Sequence, residues 1–176
     1  MRFTPCELAD TVIVDVEPHV DGRGLFARTF CEAEFAAAGL PTRFVQSSVS
    51  FNTRRGTLRG LHYQAPPKPE AKLVRCTRGA IHDVVVDLRP SSASFLRWIS
   101  LELTAENRRA LYIPEGCAHG FQTLTDDAEV LYMMTEFYAP ELARGVRWND
   151  PIFGVEWPIA DATLSERDTT YPDFRP

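Results

Sequence analysis

No stretch of this chain of 176 residues approaches the ~20 consecutive apolar residues that a membrane-spanning helix needs. The longest β-type apolar run is Val84-Val85-Val86. Long Lys/Arg runs are missing too, and the net charge is −5, which argues against nucleic acid or an anionic membrane surface as a partner. Arg54-Arg55 and Arg108-Arg109 are too short for an electrostatic footprint and read as solvated surface. Met1 to Val16 lacks a charged segment followed by an apolar core, so no signal peptide is read. Cys6, Cys31, Cys76 and Cys117 form no C-x-x-C, and four free thiols in a reducing compartment are the expectation. Repeats, linkers and low-complexity segments are also absent. A cytoplasmic protein with a single domain over residues 1–176 follows, and 44% hydrophobic residues are enough for a real core.

What the chain does have is β pattern. Thr11 to Val16 is β-branched and strand-like, and Pro18 stops it. Asp21-Gly22-Arg23-Gly24 is turn chemistry, and Leu25 to Phe30 resumes an extended run. Cys31 to Ala38 is the one helical stretch, rich in Ala and Glu and ended by Gly39 and Pro41. Short strand-like runs then follow at even spacing: Phe44–Ser50, Leu58–Gln64, Lys72–Thr77, Ala80–Leu88, Arg97–Leu103, Arg109–Ile113, Gly120–Leu124 and Ala128–Thr135. That spacing predicts an antiparallel sandwich or barrel, because βαβ units would need intervening helices. The tail from Ala139 to Pro176 is rich in Pro, Trp and Asp with little periodicity, and is expected to wrap the barrel irregularly. The predicted class is all-β, a jelly-roll sandwich or barrel with one short N-terminal helix.

The chemistry concentrates in Arg59-Gly60-Leu61-His62-Tyr63-Gln64. A guanidinium, an imidazole and an amide are interleaved with apolar Leu61 and Tyr63. Alternation on a strand puts His62 and Gln64 on one face, and a face carrying an imidazole and an amide reads as the lining of a cavity. The plain alternative is a core histidine satisfied by its neighbours. Asp83 points into either the core or the cavity, and as a buried carboxylate it would need a partner; His82 beside it reads as structural.

Pro114-Glu115-Gly116-Cys117-Ala118-His119 resembles the second motif of the cupin jelly rolls. Metal-binding cupins add an earlier H-x-H pair, whereas the matching stretch here offers only His62-Tyr63-Gln64, so a cupin-like fold without metal or other cofactor is expected. More specifically, Phe44-Val-Gln, Leu58 to Gln64, Lys72-Leu-Val-Arg, Asp83 to Arg89, Ile113 to Phe121, Trp148-Asn-Asp-Pro151, Glu156-Trp-Pro158 and Ser165-Glu-Arg-Asp168 occur in order. Together they resemble the dTDP-4-dehydrorhamnose 3,5-epimerase family over nearly the whole chain.

The resemblance implies inversion of C3, or of C3 and C5, in a nucleotide-diphosphate-linked 4-keto-6-deoxy sugar, by a homodimer. Removing a proton α to a ketone calls for a base on one face, an acid on the other and a cation at the enolate oxygen. By resemblance His62 is the base and Asp168 pairs with it, Tyr132 is the acid, and Lys72 steadies the enolate. Arg59 and His119 look like diphosphate or oxyanion partners, Arg59 through its planar fork. Arg23, Gln46, Ser48, Gln64 and Arg28 complete the implied substrate-binding set. Read alone, Asp168 would be turn chemistry, Tyr132 a core aromatic and Lys72 an exposed charge at a strand start. The chain departs from its relatives at His19 (an aromatic Phe), Gly22 (an acidic residue), Arg28 (a Glu), Ser48 (an Asn), and Pro69 to Lys72. Several of these positions face the nucleobase in the family, so the base accepted is left open.

Three other readings compete. A 4-keto-sugar isomerase on the same fold would move the ketone, and a non-catalytic sugar-nucleotide-binding cupin would tolerate loss of base or acid; the intact His62/Tyr132/Asp168 set argues against both. A metal-dependent cupin oxygenase would need the missing H-x-H pair.

Overall fold

The structure is a computed structural model and describes residues 1–176. Its larger sheet runs, in spatial order, β1 (Arg2–Pro5), β2 (Val12–Asp15), β10 (Ala110–Ile113), β7 (Lys72–Arg78), β12 (Ala128–Met134), β5 (Gln46–Asn52). The smaller runs β13 (Ala143–Gly145), β6 (Leu58–Gln64), β11 (Cys117–Thr123), β8 (Ala80–Asp87), β9 (Trp98–Thr104). A separate hairpin, β3 (His19–Asp21) with β4 (Gly24–Phe26), pairs with neither sheet. All strand pairings are antiparallel. The α-helices are two, α1 (Glu32–Ala37) and α2 (Glu166–Thr169), with one 3-10 turn at Pro140–Leu142, and no helix is long and apolar enough to cross a membrane. The four cysteines are free.

Alternating side chains make three apolar layers out of two sheets. Between the sheets lie Val74, Cys76, Leu111 and Val130 from one and Ile81, Val85, Leu103 and Phe121 from the other. Outside the larger sheet, Val14, Leu73, Ala110 and Tyr112 pack against Phe35 of α1. Outside the smaller, Leu61, Val84, Val86 and Ala118 pack under Val146 and Phe153 of the C-terminal segment. Burial on both faces explains why Val84-Val85-Val86 is an unbroken apolar run: Val85 serves the central layer and its neighbours serve the outer one.

The predicted helix over Cys31–Ala38 is present, shortened to Glu32–Ala37 with Cys31 as its N-cap residue. Phe35 anchors it, meeting the rings of Phe3, Phe30 and Phe44 at centroid distances of 5.3, 4.9 and 6.1 Å. The extended run expected to reach Phe30 stops at Phe26 because Phe30 turns into this aromatic cluster. The strand expected from Gly120 begins instead at Cys117, since residues 117–119 pair with Val85 to Asp87 of β8. Strands β1, β3 and β13 and helix α2 were not anticipated; each is only three or four residues long, too short for a periodic signal.

The C-terminal segment wraps as expected but is pinned at defined points. The Gln122 amide donates to the Ile159 carbonyl (2.8 Å) and accepts from its N–H (3.0 Å). Thr163 makes a parallel bridge to Thr57, and Asp150, buried, accepts from the Phe174 N–H at 2.6 Å.

The β6–β11 pairing carries one irregularity that shapes the site. His62 stands opposite His119 and Arg59 opposite Phe121, so two residues of β6 share the single step taken by Gly120. The bulge lets Arg59 and His62, three apart, face one side, which a regular strand forbids. It also brings Gly60 onto Gly120: a Cβ at Gly60 (φ +142) would lie 2.5 Å from the Gly120 Cα. Gly60→Ala should therefore destabilise the fold by about 2 kcal/mol or more, read as a lowered denaturant midpoint at unchanged m-value. An unshifted midpoint would show that the bulge relaxes.

Candidate active site

One cavity of about 380 Å³ is lined by Ser50, Arg59, His62, Lys72, His119, Tyr132, Ser165, Arg167 and Asp168. Both sheets and α2 contribute. His62, Arg59 and His119 come from the smaller sheet, and Tyr132, Lys72 and Ser50 from the larger. Six predicted residues thus converge: His62, Tyr132, Asp168, Lys72, Arg59 and His119.

His62 is the half-open member. Its Nε2 lies 2.6 Å from Asp168 Oδ1, with the imidazole 39% exposed and the carboxylate 5%. Burial alone would raise the Asp168 carboxyl, but hydrogen bonds to His62, Ser165 and the Gly60 backbone overcome it and hold the group below its ordinary value. Ser165 caps α2, its hydroxyl accepting from the Asp168 N–H at 3.2 Å. An ionised carboxylate only accepts, so the imidazole proton sits on Nε2 and the lone pair on Nδ1. Behind the ring, Tyr171 lies 6.1 Å away centroid to centroid over Gly145, where a Cβ would come within 2.3 Å of the phenol ring.

Tyr132 is held in edge contact with His119 at 5.9 Å. Burial pushes its phenol far above the ordinary value, the Asp83 carboxylate adding to the effect and Arg59 opposing it. His119 is itself buried, with Nε2 2.7 Å from Asp83 Oδ1. Asp83 therefore faces the site's supporting layer, while its Oδ2 has no partner. Arg59 is aimed by Asn52, whose Oδ1 accepts from its Nε at 2.7 Å. Lys72 Nζ donates to the His62 carbonyl at 3.2 Å and lies 3.3 Å from Glu70.

The remaining predicted contacts lie outside this cavity. Gln64 is buried with its amide fully committed to backbone: it donates to Lys68 O (2.6 Å) and Phe137 O (3.1 Å) and accepts from Ala139 N–H (2.8 Å). It is a staple between loops, because loops folded over the end of β6 leave carbonyls that need donors. Gln46 likewise accepts from the Tyr138 N–H. Ser48 is exposed on β5 opposite Tyr132. Arg23 is paired with Asp21 at 2.6 Å on the free hairpin, and Arg28 with Glu34 at 3.2 Å beside a second cavity of about 380 Å³ lined also by His19 and Phe26. Three lining residues were not predicted. Ser50 follows Ser48 at strand period, and Ser165 and Arg167 sit inside the Ser165-Glu-Arg-Asp168 motif, so each had a signal. His82 is structural, half-buried against Trp157 and outside the cavity.

Residues 5–176 match the dTDP-4-dehydrorhamnose 3,5-epimerase family. The chain belongs to that family. A dTDP-4-dehydrorhamnose 3,5-epimerase of Methanothermobacter thermautotrophicus is 45% identical over 99% of this chain and 95% of its own. The crystal structure of the Bacillus anthracis dTDP-4-dehydrorhamnose 3,5-epimerase with TDP and PPi bound superposes with a TM-score of 0.95 at 36% identity, covering 98% of this chain and 99% of that one. A 3'-monoepimerase from Streptomyces bikiniensis in complex with dTDP-quinovose gives a TM-score of 0.88 at 36% identity over 96% and 86%. These isomerases share the cupin-like β-sandwich, as the jelly-roll motif implied.

Because the folded Asp168 carboxyl titrates below its ordinary 3.8, its contribution to stability is complete above that value and is lost as pH falls through the lower, folded one. Asp168→Asn should cost about 1.5–3 kcal/mol near neutrality, and the gap to wild type should close on acidification below about pH 4. Urea midpoints across that range test this; a gap constant down to the acid end would mean the carboxylate carries no charge-dependent stability.

Proposed function

We propose that this chain epimerises C3, or C3 and C5, of a thymidine-diphosphate-linked 4-keto-6-deoxyhexose through an enolate, with His62 as base and Tyr132 as acid. The observation that carries the reading is that His62 and Tyr132 line one cavity from opposite sheets, so a sugar ring between them can lose a proton on one face and gain one on the other. His62 Nδ1 takes the α-proton, and the C–H electron pair passes into an enolate with the negative charge on the C4 oxygen. Lys72 supplies the cation for that oxygen. Tyr132 then delivers its hydroxyl proton to the carbon from the opposite side, leaving a phenolate that solvent reprotonates, while His62 returns its proton to solvent. A phenol so resistant to ionisation stays protonated at neutral pH and yields its proton only to a strong base such as the enolate carbon. Arg59 and Arg167 are the diphosphate partners, as bidentate forks suit phosphate.

The thymidine nucleotide is supported by the names of the relatives, which also include both a 3,5-epimerase and a monoepimerase; hence one carbon or two. A homodimer is supported by the apolar side chains that this protomer leaves uncovered: Val20 and Phe26 on the hairpin, at 74% and 73% exposure, and Val49 and Phe51 on the edge strand β5. Free thiols support a cytoplasmic setting.

In D₂O with TDP-4-keto-6-deoxyglucose, proton NMR should show deuterium entering at C3, or at C3 and C5. His62→Ala should slow exchange at both carbons by about 10²–10⁴-fold, and Tyr132→Phe should depress the inverted product more than the exchange. Silence of the wild type toward the TDP- and CDP-linked sugars would sink the epimerase reading, and full activity of His62→Ala would remove the base.

A further inference from the structure

Lys72 stands at the very start of β7, where a long flexible ammonium would have many places to point. A hydrogen bond and an ion pair restrict it. The His62 carbonyl takes one N–H at 3.2 Å, and Glu70 Oε1 lies 3.3 Å away, with only 12% of the Glu70 side chain and 11% of the Lys72 side chain exposed. An ammonium has three donors, and with one on the His62 carbonyl it keeps others for the cavity that Lys72 lines. Glu70 is absent from that lining; it sits behind the lysine, and it is the one carboxylate paired with it.

The loop carrying Glu70 is tied down on both sides. Upstream, the Gln64 amide grips Lys68 O at 2.6 Å. Downstream, Ala71 N–H donates to Thr135 Oγ1 at 2.9 Å and Ala71 O accepts from Thr135 N–H at 3.1 Å. The carboxylate is thus delivered to a fixed place by a buried scaffold, an expensive arrangement for an ordinary surface charge pair. Its neighbours give it a purpose: Arg59, Lys72 and Arg167 all line the same small cavity, and a counter-ion behind Lys72 holds it against the other two cations.

We propose that Glu70 is a positioning residue that aims the Lys72 ammonium at the developing enolate oxygen. The proposal rests on the epimerase reading above. An interaction needed only as the enolate forms should lower kcat and leave substrate binding alone. Glu70→Gln, nearly isosteric, should reduce kcat about 10–100-fold with KM changed by no more than about twofold. In a Lys72→Ala background the same substitution should add less than about twofold, because Glu70 would have nothing left to aim. Independent losses that multiply in the double variant, or a Glu70→Gln effect confined to KM, would overturn the proposal. Crystal structures of wild type and Glu70→Gln decide the geometric half without any turnover: Lys72 Nζ should leave the His62 carbonyl in the variant, and an unmoved ammonium would refute the positioning role. A wild type inactive on the sugar nucleotide would instead break the epimerase reading, a separate failure that leaves the crystallographic comparison valid.

Discussion

Residues 106 apart in sequence meet in the hydrogen bond between His62 and Asp168, and much of the C-terminal third exists to make it. An imidazole is a base at one nitrogen only when the other keeps its proton, and a buried acceptor is what fixes that choice. Asp168 must therefore arrive with little freedom. The double hydrogen bond between Gln122 and Ile159, the Thr57–Thr163 bridge and the Ser165 cap locate it in succession. A four-residue helix has negligible stability of its own; α2 persists because the wrap around it is fastened to the sandwich.

The sandwich explains why two sheets serve this site better than one. Side chains on a single sheet all approach a ligand from one direction. Placing His62 on one sheet and Lys72 and Tyr132 on the other lines the cavity from two directions. The β6–β11 bulge extends the economy, since it puts Arg59 on the same side as His62 without spending a third strand.

Legibility in the sequence followed the strength of local signals. Strand β6 was read to its exact residues because apolar and polar positions alternate between turn residues, and β7, β8 and β12 came within a residue or two. The four catalytic candidates converge as the family motifs implied. Alternation failed where hydrogen bonding, not facing, decides the role: Gln64 does turn inward, yet loops folded over it consume the whole amide. Spacing also could not reveal that Arg59 and His62 share a side, because a bulge is set by two glycines from distant strands meeting, and only one of them lay in the stretch being read. Glu70 was visible as part of Pro69 to Lys72, but a pair two residues apart at a strand start carries no facing rule.

The hairpin β3–β4 has a consequence of another kind. It is bonded to neither sheet, and His19, Arg23 and Arg28 on and beside it pack into none of the three apolar layers. Substitutions on it touch neither the apolar layers of the sandwich nor the side chains that line the His62 cavity, so this part of the chain can vary in descent at little cost in stability. The cavity around His62 and the hairpin are separable parts of the chain, and lineages are free to diverge in the second while inheriting the first.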